Sequence, residues 1–92
     1  MRLTDLAQDD LESVERWVAL DDAAAAIDQV LRVLDAITSL GAYPNLGRVG
    51  RVPGTREWAV GGTPDLVNYR VQTNVLWVLR VIHGARHWPL PE

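Results

Sequence analysis

Cysteine is absent from the 92 residues, which excludes disulfides and thiolate metal sites as sources of stability. Lysine is absent as well, so all nine basic residues are arginine. An arginine-only set fits a compositional bias of the genome. It also fits use of the planar guanidinium fork on carboxylate or phosphate. No apolar run approaches the roughly 20 residues of a membrane helix, and Met1-Arg2-Leu3-Thr4-Asp5 lacks the apolar centre of a signal peptide. The expectation is a cytoplasmic protein without a membrane partner. Two histidines and scattered carboxylates show no metal-ligand spacing, and no Ser/His/Asp order, phosphate loop or dinucleotide fingerprint is present. Neither metal nor cofactor is expected.

The residues that are present suit one globular domain over 1–92. A hydrophobic content of 48% is ample for a core and argues against disorder. A chain this short buries roughly 60–65% of the surface its unfolded form exposes, which leaves a thin stability margin that a bound partner would widen. The net charge of -3 conceals an asymmetry. Up to Leu46 the chain is acidic, with Asp5, Asp9, Asp10, Glu12, Glu15, Asp21, Asp22, Asp28 and Asp35 outnumbering the arginines. From Gly47 onward it is basic, with Arg48, Arg51, Arg56, Arg70, Arg80 and Arg86.

Asp5 followed by Gln8 reads as a variant capping box, and Leu11, Val14, Trp17 and Val18 recur at helical spacing. The pattern predicts a helix from about Asp5 to Ala19 with Trp17 in the core. Asp21-Asp22 supplies the next N-cap, and Ala23 to Ala26 are strong helix formers. Ile27, Val30, Leu31, Leu34, Ile37 and Thr38 continue as one apolar stripe towards Gly41, placed for a left-handed C-cap. So short a connection predicts an antiparallel helical hairpin. A loop rich in glycine and proline follows, then three strand-like runs: Thr55–Val60, Leu66–Gln72 and Val75–His83. Gly61-Gly62-Thr63-Pro64 and Thr73-Asn74 join them as hairpins. The predicted class is α+β: a short N-terminal strand at Arg2-Leu3-Thr4 and a helical hairpin packed on one face of a three- to four-stranded antiparallel sheet.

Alternation along the last run places Val75, Trp77, Leu79, Val81 and His83 on one face, and Leu76, Val78, Arg80 and Ile82 on the other. Both faces are apolar, and a single helical layer covers one of them. The open face, with Arg70, Leu76, Val78, Arg80 and Ile82, is the expected docking surface for a second polypeptide. The other option is a loop or the C-terminal tail folded across it. Arg56 is a candidate third arginine on the side of Arg70 and Arg80.

The order strand–helix–helix–three strands, with Pro44-x-x-Gly47-Arg48, Pro53-Gly54-Thr55-Arg56-Glu57, Tyr69-Arg70-Val71 and Leu79-Arg80-Val81-Ile82-His83-Gly84-Ala85-Arg86, resembles toxins of the RelE/ParE superfamily. The resemblance implies the toxin of a type II toxin–antitoxin module, held by a cognate antitoxin and carrying no sequence-specific DNA reader of its own. One branch of the superfamily cleaves messenger RNA on the ribosome; the other poisons DNA gyrase. Arg56 and Arg86 match basic positions of the cleaving branch, and His83 or His87 would be its general acid. Trp58 and Leu66 stand where that branch often has basic residues, and the chain stops at Glu92 without its late tyrosine or histidine. The Gly-Thr-Arg-Glu and His-Gly-Ala-Arg segments sit closer to the ParE-like branch. The reading is therefore a non-enzymatic gyrase inhibitor; a ribosome-dependent endonuclease and a non-toxic antitoxin-binding member are the alternatives. His83 is otherwise expected to close its strand on a backbone group, His87 to be exposed, and Glu57 to form a surface ion pair. Trp88 is expected to pack on the sheet or stand as an exposed anchor.

Overall fold

Thr4 opens the first helix, and its hydroxyl works in two directions. It accepts from Ala7 N at 3.1 Å and donates to Leu79 O at 2.8 Å. The cap therefore also fastens the helix start to the sheet. Asp5, expected in that place, is instead the first residue of α1 (Asp5–Ala19), where its charge suits the positive end of the helix dipole. The computed structural model describes residues 1–84 and 88–89. The second helix, α2 (Ala23–Ala42), begins at Asp22, whose Oδ1 accepts from Ala24 N at 2.9 Å and Ala25 N at 3.1 Å. Gly41 is helical rather than the stop. The helix ends at Tyr43, which has left the helical region with φ -133°, because the residue before a proline is pushed out of it.

Among the described residues the sheet has five strands in the order β1-β5-β4-β3-β2. Its centre is the expected meander of β3 (Arg56–Ala59), β4 (Asp65–Gln72) and β5 (Val75–His83). Two short strands extend it at the edges. β1 (Arg2–Leu3) pairs parallel with β5, and β2 (Arg48–Val49) pairs antiparallel with β3. The sheet is therefore mixed. Thr73 and Asn74 both have positive φ, 52° and 59°, as the two-residue turn between twisted strands requires.

A bulge redistributes the side chains of β5. Tyr69 pairs with Val78 while Asn68 pairs with Arg80, so Leu79 has no partner on β4. Strict alternation fails there. Leu76, Val78 and Val81 all enter the core under the helices, with Val33, Ile37, Leu40, Val67 and Tyr69. This corrects the expected open face: Leu76 and Val78 are 5% and 0% exposed core residues.

The helices carry more apolar surface than the sheet absorbs. In α2 the buried positions are Ala26, Val33, Ile37 and Leu40, while Ile27, Leu31 and Leu34 form a second stripe that is 60%, 55% and 37% exposed. The single expected stripe is two. In α1, Ala7 and Val14 are buried. Trp17, expected in the core, is 65% exposed, because it sits to the side of the row that meets the sheet.

The second face of the sheet is divided. At one end Leu66, Asn68 and Ile82 are buried. There Asn68 Nδ2 donates to Thr55 Oγ1 at 2.9 Å and Trp88 Nε1 donates to Glu57 Oε2 at 2.8 Å. The Gly50–Thr55 loop and Trp88 thus cover that end. Towards β1 the face is open among the described residues: Arg70, Gln72, Val75, Trp77 and Leu79 line a hollow of about 530 Å³. Arg2 lies 6.0 Å from the Trp77 ring centroid, a cation–π arrangement.

Candidate functional site

A groove of about 290 Å³ runs between α1 and the end of β5, lined by Ser13, Val14, Trp17, Val81, Ile82 and His83. β1 pairs only with Trp77 and Val78, so among the described residues the β5 edge beyond it lacks a neighbouring strand. Asp10 fills part of that gap. Its Oδ2 accepts from Val81 N at 2.9 Å and from Arg80 Nε at 2.7 Å, and its Oδ1 accepts from Arg80 Nη2 at 3.0 Å. The bidentate pair forms one polar wall of a mainly apolar groove.

His83 forms the far wall. Its Nδ1 lies 2.7 Å from Oδ1 of Asp65, whose side chain is fully buried. A carboxylate only accepts, so Nδ1 carries the proton. Gln29 Nε2 donates to the other oxygen of Asp65 at 2.7 Å, which ties α2 to the sheet. The expected backbone bond of His83 is thus a side-chain bond to a buried acid.

On the opposite edge, Glu57 organises a basic loop. Its side chain is 0% exposed and accepts from Arg51 N at 2.8 Å, Trp88 Nε1 at 2.8 Å and Arg48 Nη2 at 3.1 Å. Arg51 Nε stands 3.4 Å away. Burial pushes the Glu57 carboxyl up; the donors from Arg51, Trp88 and Arg48, with the charge of Arg51, outweigh it and hold the group below its ordinary value. The expected surface ion pair is a buried node.

Among the described residues the candidate arginines do not converge. Cross-strand partners share a face, and Arg56 pairs with Tyr69, on the helix side. Its Nη1 donates to Gly47 O at 2.7 Å. Arg70, one residue past Tyr69, is on the opposite side and exposed. Arg80 is taken by Asp10. Of the expected docking residues, Arg80 and Ile82 line the groove, Arg70 lines the separate hollow, and Leu76 and Val78 line neither. Arg86 and His87 lie outside the described residues. No cluster of three metal-ligating side chains occurs among the described residues, and no helix there is long and apolar enough to cross a membrane.

Sequence reasoning missed Asp10, Asp65 and Trp17 as members of this region. Helical spacing alone gives no sign of which strand edge an acidic residue will face. Trp17 carried a usable signal, since α1 already had Leu11, Val14 and Val18 for a narrow contact.

A family model described as ParE toxin of type II toxin-antitoxin system, parDE, matches residues 1–88. The protein named "Putative toxin Y4kP" from Sinorhizobium fredii is 34% identical over 79 residues, spanning 86% of this chain and 81% of that protein. Among solved structures, a chain of the chromosomal ParDE TA system from P. aeruginosa matches with a TM-score of 0.79 and 25% identity. That match covers 89% of this chain and 91% of the other.

Proposed function

This chain belongs to the ParE toxin family of type II toxin–antitoxin systems, and from that premise we propose that it arrests growth in the cytoplasm by binding DNA gyrase, without chemistry of its own, until a cognate antitoxin covers it. The observation that carries the reading is how the arginines are used. Arg56, at a position matching the cleaving branch, holds the Gly47 carbonyl, and Arg80 is bound at both Nε and Nη2 by Asp10. Messenger cleavage would need such groups gathered around one phosphate.

The antitoxin reading rests on apolar surface left open. The groove beside β5 presents the exposed Trp17 over the buried Val14 and Ile82, between the Asp10–Arg80 pair and His83. An apolar anchor from a wrapped segment fits this combination, with Arg80 and Ile82 as contacts. Arg70 would meet a partner that reaches round to the Trp77 side.

One observation favours the endonuclease alternative. Asp65 orients His83 at the groove wall, as a general acid or base would be held. Expression of the chain alone separates the readings. A DNA-damage response with filamentation and inhibited supercoiling is expected. Codon-specific message cleavage with rapid loss of translation would replace the gyrase reading, and undisturbed growth would leave an antitoxin-binding module.

A further inference from the structure

The loop between α2 and β3 is held far more firmly than its connecting role requires. Gly47 N donates to Tyr69 Oη at 2.9 Å, and that hydroxyl donates to Pro44 O at 2.7 Å. Arg56 clamps Gly47 O at 2.7 Å, and Gly50 N donates to Thr55 O at 2.7 Å. The buried Glu57 fixes Arg48 and Arg51 from inside. Burying a carboxylate is costly unless charged partners surround it, and Arg48 and Arg51 surround this one, so the frame holds the loop rigidly. There is no slack at Gly47: a Cβ there would stand 2.5 Å from Tyr69 Oη and 2.8 Å from Glu57 O.

What the frame presents is apolar. Tyr43 is 68% exposed, Leu46 48% and Val49 80%. Leu46 separates two hollows, one of about 390 Å³ beside Tyr43 and Pro44, the other of about 360 Å³ floored by Trp58 beside Arg48. The only acid from Tyr43 to Pro64 is Glu57, and it is buried, whereas Arg48 and Arg51 reach solvent. Large exposed apolar side chains on a rigid support with a positive rim match the anchors of protein interfaces. Phosphate would use the same guanidiniums, and it is the exposed apolar Tyr43, Leu46 and Val49 beside them that favour a protein surface.

We propose that this loop, presenting Tyr43, Leu46 and Val49 beside Arg48, is the target-facing surface of the protein and docks on a protein surface whose carboxylates rim an apolar patch. It lies on the β2 edge of the sheet, with three strands between β2 and the β1 edge. The inference rests on the gyrase reading and adds to it the part of the chain that makes contact.

The test is equilibrium titration of the full chain against purified DNA gyrase, with Tyr43→Asp and Val49→Asp, and with Ile27→Asp as a control on the exposed side of α2. All three side chains are exposed, and circular dichroism verifies that each variant folds. The expected result is a dissociation constant raised about tenfold or more by each loop variant, about 1.4 kcal/mol, and unchanged by Ile27→Asp. Loop variants that bind gyrase like the parent would overturn the inference and leave the target standing. A parent chain that does not bind gyrase would remove both. Loop variants that lose affinity for duplex DNA alone would overturn the protein partner in favour of nucleic acid.

Discussion

Asp10 and Arg80 meet across 70 residues of sequence in a two-pronged contact, and the same carboxylate takes the amide of Val81. A helical side chain thereby completes a strand. The pair is mostly shielded, with side-chain exposures of 16% and 25%, so water screens it less than an ordinary surface bridge.

Asp10→Asn should therefore lower the free energy of unfolding by about 1–3 kcal/mol, since it weakens charged bonds to Arg80 and disturbs the Val81 amide. Urea titration of parent and variant measures it. An unchanged midpoint would mean that the pair contributes nothing net.

Acid should loosen the β2 edge. The folded Glu57 carboxyl lies below its ordinary value, so its stabilising contribution is complete above the unfolded carboxylate pKa and disappears as pH falls through the lower folded one. Glu57→Gln should lower stability at neutral pH and flatten its fall below about pH 4.5. Urea midpoints measured across that range compare the two slopes; parallel slopes would show that another group governs the acid limb.

Tyr69→Phe should cost about 1–3 kcal/mol, because it removes one phenol that serves both Gly47 N and Pro44 O. Tyr69 is 0% exposed, so water does not readily replace the hydroxyl. The loss should appear as a lower unfolding midpoint and as faster amide exchange at Gly47.

Trp17→Ala should leave stability within about 0.5 kcal/mol of the parent, because the ring is exposed. It should weaken the antitoxin complex about tenfold or more. Calorimetric titration against the antitoxin gives the number, and equal affinities would move the antitoxin contact away from this groove.

Thr73 carries a β-branched side chain at φ 52°, where such residues are strained. Thr73→Asn combined with Asn74→Gly should stabilise the β4–β5 hairpin by about 1 kcal/mol. A rise in the thermal midpoint is the readout.

Much of this architecture was legible in the sequence for identifiable reasons. Asp22 and the alanines after it fix the start of α2, and Thr73-Asn74 fixes the register of the last hairpin, because both signals are local. The family resemblance likewise rests on short segments whose order survives into the fold. What could not be read depends on distance in the chain. Glu57 looks like any surface acid until Arg48, Arg51 and Trp88 are seen around it. Ile27, Leu31 and Leu34 share their spacing with the true core row of α2, and period alone does not say which of two apolar sides meets the sheet. The two-residue strands β1 and β2 are too brief to show a period at all.

The unpaired Leu79 has a consequence for how this molecule meets copies of itself. The two residues of β1 reach only to Val78, the carbonyl of the bulged Leu79 is taken by the Thr4 hydroxyl, and the Val81 amide beyond it is already occupied by Asp10. A regular β5 would offer an unbroken row of backbone groups, the template on which identical chains stack end over end. The kink and the acid interrupt that row, so a sheet with a ragged margin resists templated fibre growth without a long strand to guard it.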